Sequence, residues 1–487
     1  MNTKRFTILH SNDMHGDFLA EVAEGGGHMI GGISLLSGYI NQVRAEEKNV
    51  IYTISGDMVQ GSIIDSEFKG ISTIEIMNYL APDVASLGNH ELDYGLPHLL
   101  FLEKMANFPI INANLYIKNY NKRLMSPHII LQIDGFDILF IGIVTETVMD
   151  SLKLDNQIGT FITLEEASAE VGKICDAYKN DDIDLTVLLT HIGLESDKEL
   201  AAMLRPEWGV DLILGGHSHS YMDQPEVIND ILIAQAAVGT DQIGRFDLLV
   251  DDDTNSIVEW KWQLIPITSD TIEPDLELHE FIESYQNIVD AKYNTLLCRM
   301  ARTLTHPERE IETEIGNLFS DIFAENTSLD VAFIGSGSIR LKELGPIVTL
   351  RDLKQIFPFE DTFSRFSVTG AQLLKIFNHI MRKSNRNSEG ECYQVNQGVS
   401  AVYDDGLGKL VSLDIGGKPV QPDQTYKIGL QEYHSKNCEK NLGLSIDELT
   451  EIAPARVVVA SMHAVIEEYL RHHQAINRSV EGRLVYK

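Results

Sequence analysis

A chain of 487 residues is too long for one ordinary hydrophobic core and suggests about two or three domains, while 44% hydrophobic and 23% charged residues is a globular composition that argues against a disordered or fibrous protein. The formal net charge of -33, from 72 acidic against 39 basic side chains, repels phosphate at long range and argues against a nucleic-acid polymer or an anionic membrane as partner. An anionic small substrate then needs a local positive centre, supplied by arginines or by bound cations.

The chain opens MNTKRFTILHSND, which enters a strand pattern almost at once and lacks the apolar stretch and small-residue cleavage site of a signal peptide. No apolar run approaches the roughly 18 to 20 residues of a membrane helix; FDILFIGIV from Phe136 is strand-sized. Cys175, Cys298, Cys392 and Cys438 are widely spaced and form no CxxC pair, so neither a disulfide framework nor a cysteine zinc site is expected. A reducing cytoplasm is the expected compartment.

Through the first half one pattern repeats. FTILHSND, NVIYTISGD, DVASLGNHE, IDLTVLLTHIG and VDLILGGHSH each end an apolar strand candidate in Asp, Asn or His, with amphipathic stretches such as GGISLLSGYINQV between them. Strands alternating with helices predict an α/β layered fold, in which sites form at the carboxyl ends of strands, so these endings are expected to converge on one rim. The Gly-rich EGGGHMIGGIS, Glu24 to Ser34, lacks the GxxxxGK[ST] pattern and is read as close backbone approach to the site on that rim, not as a phosphate loop.

FDLLVDD and IVEWKWQLIPI read as strands joined by a solvated turn at Asp251. PDLELHEFIESYQNIVDAKYNTLLCRM then places Leu278, Phe281, Ile282, Tyr285, Ile288 and Val289 at helical spacing, predicting a long connecting helix. The pattern restarts with EIGNLFSDIF as a helix, LDVAFIG as a strand, TGAQLLKIFNHIMRK as a helix and ARVVVASMHAVIEEYLRHH as a late helix. The expected division is therefore 1–270, a connecting segment 271–301, and a second α/β domain 302–487.

The polar strand endings collect Asp13, His15, Asp57, Asn89, His90, His191, His217 and His219. Carboxylate, amide oxygen and imidazole suit Mn, Zn, Fe or Co ions, whereas a thiolate site would show cysteines. Singly, each residue reads as a helix cap or a satisfied polar side chain. Five successive strand ends carrying donors argue for two divalent ions, about 3.5–4 Å apart, that clamp a phosphoryl oxygen and supply hydroxide near neutral pH.

The series D-x-H in SNDMHGD, GD in SGDMVQG, GNHE-x-D-x-G in GNHELDYG, TH in LLTHIG and GHSH in GGHSHS resembles the calcineurin-like dinuclear metallophosphoesterases. With two domains it resembles the 5'-nucleotidase branch, which also contains UDP-sugar hydrolases and 2',3'-cyclic nucleotide phosphodiesterases. The resemblance implies an N-terminal four-layer α/β/β/α sandwich and a smaller α/β C-terminal substrate-binding domain. It implies one metal held by Asp13, His15 and His219, another by Asn89, His191 and His217, and Asp57 bridging them. Mn2+ or Zn2+ is the expected metal, with Co2+, Fe or Mg2+ as alternatives. His90 is expected to stay off the metals and to stabilise or protonate the oxygen leaving phosphorus, with Asp93 orienting its ring and raising its basicity. Glu91 receives no role, and His28 is not counted as a ligand.

In the second domain VAFIGSGSIR resembles the family's GGxR-like turn, which makes Arg340 the anion contact, since arginine recognises phosphate or carboxylate in a planar bidentate mode. In GECYQVNQG, Tyr393 falls where the family places an aromatic that stacks on a nucleobase. The second stacking aromatic is missing: the corresponding stretch EYHSKNCEKNLGLS has Asn441 and Leu442 there, leaving Tyr433 as a substitute or a leaving group that is no nucleobase. The implied activity is metal-dependent hydrolysis of phosphate monoesters, foremost nucleoside 5'-monophosphates. Cyclic-nucleotide or nucleotide-sugar hydrolysis is the alternative of the same chemistry. A catalytically idle nucleotide-binding module is the alternative of another class, and the His90 and Asp93 pair argues against it. The expected partner is a small phosphate ester, with no nucleic-acid polymer and no membrane, and with the oligomeric state left open.

Overall fold

The computed structural model describes residues 3–23, 26–117, 122–145, 160–161, 163–386 and 391–487. The chain forms two compact units, Met1–Val289 and Asp290–Lys487. Glu24, Gly25 and Gly390 of the Gly-rich and GECYQVNQG stretches lie outside the described residues.

In the first unit the elements that build the site are β1 (Thr3–Ser11), α1 (Ile33–Glu46), β2 (Val50–Ser55), α2 (Ile71–Leu80), β3 (Val84–Ser86), β4 (Ile110–Ile111), β5 (His128–Ile133) and β6 (Phe136–Val144). After them come α3 (Leu164–Ala177), β7 (Leu185–His191), α4 (Leu194–Met203), β8 (Leu212–Leu214), β9 (Glu226–Ile228), β10 (Ile231–Ala234), β11 (Gln242–Asp251) and β12 (Ser256–Pro266). They form two six-stranded sheets, in the orders β12-β11-β1-β2-β3-β4 and β9-β10-β8-β7-β6-β5. β1 to β4 run parallel, as do β6, β7, β8 and β10, so each sheet gathers its carboxyl ends at one edge.

Alternation along each strand sorts side chains between layers. Phe6, Ile8, Ile51, Val84 and Ile111 of the first sheet meet Phe136, Ile138, Phe140, Val187, Leu189 and Leu212 of the second in one buried cluster. The opposite face of the second sheet, with Leu139, Ile141, Ile143, Leu188 and Ile213, is covered by Val171 and Ile174 of α3 and Leu200 of α4. On the outside of the first sheet α1 lies against β2 and buries Leu36 and Ile40. Helix, sheet, sheet, helix is the four-layer sandwich that the resemblance implies. Strands covered on both faces read as unbroken apolar runs, and all seven residues of LTVLLTH in β7 are buried.

The helix α5 (Leu276–Tyr293) straddles the division between the units. It ends before the expected helix does, because Leu296–Arg299 forms a strand, β13, paired with Ile347–Thr349. In the second unit α6 (Glu314–Thr327), β14 (Val331–Gly335), β15 (Phe363–Thr369), α7 (Gly370–Ile380), β16 (Tyr393–Val395), β17 (Thr425–Gln431), β18 (Arg456–Val459) and α8 (Met462–His472) follow. The sheet order is β16-β14-β17-β15-β18, packed around Val331, Phe333, Phe366, Leu373, Phe377 and Ile428. The stretch expected as one late helix is thus a strand followed by a helix. The β-branched run Val457–Val459 extends the sheet, and the Ser461 hydroxyl caps α8 by accepting from the Ala464 N–H at 3.2 Å. β14 and β17 are parallel, so Gly335 and Gln431 finish side by side, joined by a bond from the Gly335 N–H to Gln431 Oε1 at 2.9 Å.

Candidate dinuclear metal centre and substrate contacts

The loops that leave β1, β2, β3, β7 and β8 are tied to one another by hydrogen bonds, some between backbones and some between backbone and side chain. The Asp13 N–H donates to the Gly56 carbonyl at 3.2 Å and the His15 N–H to the Asp57 carbonyl at 2.9 Å, which braids the first two loops. The His217 N–H donates to both oxygens of Asp13, at 3.1 and 2.9 Å, which brings in the loop after β8. His191 closes β7 on the face shared by the two sheets and contacts the Ser55 carbonyl through Nδ1 at 2.8 Å. This close approach requires glycine: a Cβ on Gly88 would stand 2.2 Å from Asp57 Oδ1, and one on Gly56 2.7 Å from His191 Nδ1.

Five of the donors themselves sit in the left-handed region, with φ of 50° at Asp13, 48° at His15, 51° at Asp57, 79° at His217 and 53° at His219. Asp and His are more often found there than other non-glycine residues, but each such backbone carries strain, and strain of this kind clusters at functional sites.

Their side chains converge in overlapping sets. His219 Nε2 lies 3.3 Å from Asp13 Oδ1 and 3.2 Å from His15 Nε2. His191 Nε2 lies 3.1 Å from Asp57 Oδ2 and 3.2 Å from Asn89 Oδ1, and His217 Nδ1 lies 2.8 Å from the same Asn89 oxygen. Asp57 is also 3.9 Å from His15 Nε2, so it faces both sets. The donor atoms of Asp13, His15 and His219 all fall within 4.8 Å of one another, as do those of Asp57, His191 and His217. Imidazole nitrogens and carboxylate oxygens held this closely fit two adjoining borderline divalent ions.

His90 also comes into this cluster, its donor atom within 4.8 Å of those of His15 and Asp57, and it is paired with Asp93. His90 opens the short 3-10 turn His90–Leu92 and Asp93 follows it, and the ring of His90 meets Asp93 Oδ2 through Nδ1 at 2.6 Å. That bond, chiefly, raises the His90 pKa above the ordinary histidine value, against the effect of burial. The His90 N–H donates to Asp57 Oδ1 at 2.9 Å. Burial works to raise the Asp57 carboxyl, but the His191 ring beside it prevails and brings it down to about 2. Burial works the other way on His191, whose pKa is nonetheless lifted to about 9 by Asp57 and Asp13. Burial and the neighbouring His191 lower that of His217. His28 lies apart from the cluster, paired with Asp270 at 3.3 Å. The glycines before α1 approach Ala20 and Asp241, not the donors as expected.

In the second unit Arg340 follows the 3-10 turn Ser336–Ser338 that leaves β14, and its guanidinium lies over the Phe359 ring at 4.9 Å. The expectation for Tyr393 is corrected. Its ring is 3% exposed, packed edge-on against Phe333 and His434, with its hydroxyl 3.0 Å from His434 Nδ1, so neither face is open to a base. Asn441 and Leu442 are buried as well, whereas Tyr433 is 56% exposed beside His434. Arg309, which sequence reading passed over, comes close to the turn: a Cβ on Gly337 would lie 3.9 Å from its Nη1 and 3.6 Å from Glu391 Oε1. No motif flags Arg309, because it reaches the turn from a segment remote in sequence.

Residues 6–221 match the family model for calcineurin-like phosphoesterase, and residues 292–441 that for the 5'-nucleotidase C-terminal domain. The chain is 25% identical to the 5'-nucleotidase of Mus musculus, over 99% of this chain and 90% of that protein. It is 27% identical to the 5'-nucleotidase of Vibrio vulnificus, over 100% of this chain and 94% of that protein. The crystal structure of a 5'-nucleotidase precursor from Thermus thermophilus shares the fold, with a TM-score of 0.64 at 22% identity over 99% of each chain. The chain belongs to the family in which a calcineurin-like phosphoesterase domain is followed by a 5'-nucleotidase C-terminal domain.

Proposed function

We propose that the protein is a 5'-nucleotidase-type phosphohydrolase that removes phosphate from nucleoside monophosphates at a dinuclear metal centre. The observation that carries this reading is the meeting of two donor sets on one shared carboxylate, Asp57. In the proposed assignment Asp13, His15 and His219 would hold one ion, Asn89, His191 and His217 would hold the other, and Asp57 would serve both. Two divalent ions, Mn2+ or Zn2+ in this reading, supply charge neutralisation at phosphoryl oxygens and hydroxide near neutral pH when bound. Protonated on both ring nitrogens, His90 presents its Nε2 proton to the oxygen leaving phosphorus, while Asp93 accepts from Nδ1–H, holds the ring in place and stabilises the imidazolium. Glycines at 56 and 88 keep the donors at contact distance.

The second unit reads the leaving group in this proposal. Arg340, steadied on Phe359, and Arg309 supply positive charge at the turn after β14, and the exposed Tyr433 takes the stacking role expected of Tyr393. All four cysteines are free, and among the described residues no helix is long and apolar enough to cross a membrane. A reducing, cytoplasmic setting is the proposed location.

The test is phosphate release from nucleoside 5'-monophosphates, with cyclic nucleotides, UDP-sugars and p-nitrophenyl phosphate as comparison substrates, before and after removal of metal by a chelator. Release is expected to stop on chelation and to return with Mn2+. Asp57→Asn is expected to lower metal content and activity together. Undiminished turnover in the chelated wild type would overturn the proposal.

A further inference from the structure

Glu91 sits in the middle of GNHE and is only 2% exposed, yet it belongs to none of the donor sets. A buried carboxylate is costly unless its lone pairs are satisfied. Here they are met by backbone alone. Oε2 accepts from the Gly88 N–H at 2.7 Å and the Asp57 N–H at 3.0 Å. Oε1 accepts from the Met58 N–H at 2.7 Å and, more weakly, from the Val59 N–H at 3.5 Å.

These N–H groups come from two separate loops. Asp57, Met58 and Val59 leave β2 and Gly88 leaves β3, so neither loop supplies partners to the other through regular pairing beyond the strand ends. Successive backbone N–H groups pointing into one concavity make an anion nest of the kind that elsewhere binds phosphate. In this chain the nest is filled by its own carboxylate. The His90 N–H returns a bond to Asp57 Oδ1 at 2.9 Å, so the two loops are fastened in both directions.

We infer that Glu91 is a positioning residue of the metal centre: its carboxylate clasps the loops carrying Asp57 and Asn89 and so fixes the spacing of the donor each contributes. This rests on the two-metal reading above. The chemistry demands a carboxylate of this length. Glutamine would turn an NH2 donor toward N–H donors, leaving one loop unfastened. Aspartate, one methylene shorter, would not span from its own turn to both loops.

Mn2+ titrated into the metal-free full chain, followed by calorimetry, tests it in Glu91→Gln and Glu91→Asp. Wild type is expected to take up two Mn2+ per chain. Each variant is expected to bind Mn2+ about 10 to 100-fold more weakly, the range for loss of a group that orients metal ligands. Turnover of p-nitrophenyl phosphate should recover toward wild type at saturating Mn2+, with KM unchanged. A purely structural role would lower the melting temperature of the metal-free chain and leave Mn2+ affinity intact. Unchanged affinity in a folded variant would therefore overturn the inference, as would lost turnover that excess Mn2+ fails to restore at normal KM. Wild type binding fewer than two Mn2+ would instead overturn the metal-centre reading itself.

Discussion

At the scale of single residues, the division of labour within five positions of GNHEL depends on where each side chain points. Asn89 turns its amide oxygen to His191 and His217, His90 turns its ring to Asp93, and Glu91 turns inward to backbone N–H groups. If His90 acts on the leaving oxygen and not on metal, His90→Asn should keep metal content near wild type while slowing turnover by about 100 to 10,000-fold, the range for loss of a general acid. Metal analysis of the variant beside its kcat decides the matter, since parallel loss of both would make His90 a ligand. The donors and the His90 and Asp93 pair were legible in the sequence because at each loop an apolar strand runs into a donor with a glycine close by. Glu91 was not, because its partners are backbone atoms, which carry no residue signature. Arg309 was not, because its position beside the turn after β14 exists only in the folded chain.

At the scale of elements, Tyr393 shows how one strand register can reverse a role. In β16, Tyr393 and Val395 join the buried cluster, while Gln394 between them points to the other face and bonds Ser336 and the Ile311 carbonyl. The sequence CYQV displays the alternation but not which face meets the core, and a shift of one residue exchanges the two. The pairing of Tyr393 with Gly335 on β14 settles it. As a packing residue, Tyr393→Ala should destabilise the chain by about 3–5 kcal/mol, as for other large buried aromatics, and lower rates on nucleotides and p-nitrophenyl phosphate alike. Denaturant unfolding and paired kinetics check this, and a selective loss on nucleotides would restore a base-stacking role. A related limit applied to Val457–Val459 and to Leu296–Arg299. Short apolar runs next to helical patterns were read as helix, and only strand partners remote in sequence, Phe363–Ser364 and Ile347–Thr349, draw them into sheets.

At the scale of the whole molecule, each unit has a core of its own, and the restart of the strand and helix pattern after the connecting helix made two domains legible from sequence. The net charge of -33 gives the chain a field that draws divalent cations toward it, so the positive centre an anionic substrate needs is drawn from solution by the same charge that repels phosphate. The left-handed backbone at Asp13, His15, Asp57, His217 and His219 carries this further. Strain of about 1 kcal/mol or more at each such residue is held against the fold whether or not cations are present. Cations that bind the folded form and not the unfolded one return stability by mass action, about 2.7 kcal/mol for a site at a hundredfold excess over its Kd. Foldedness in the first unit thereby becomes a readout of the free metal around it. Scanning calorimetry at increasing Mn2+ should show the first unit's transition climbing with the logarithm of concentration while the second unit's stays still, and a first transition indifferent to metal would break that linkage. Surroundings poor in the right cation would then hold a chain that is easier to unfold as well as idle, which couples the lifetime of this protein to the supply of the ion it works with.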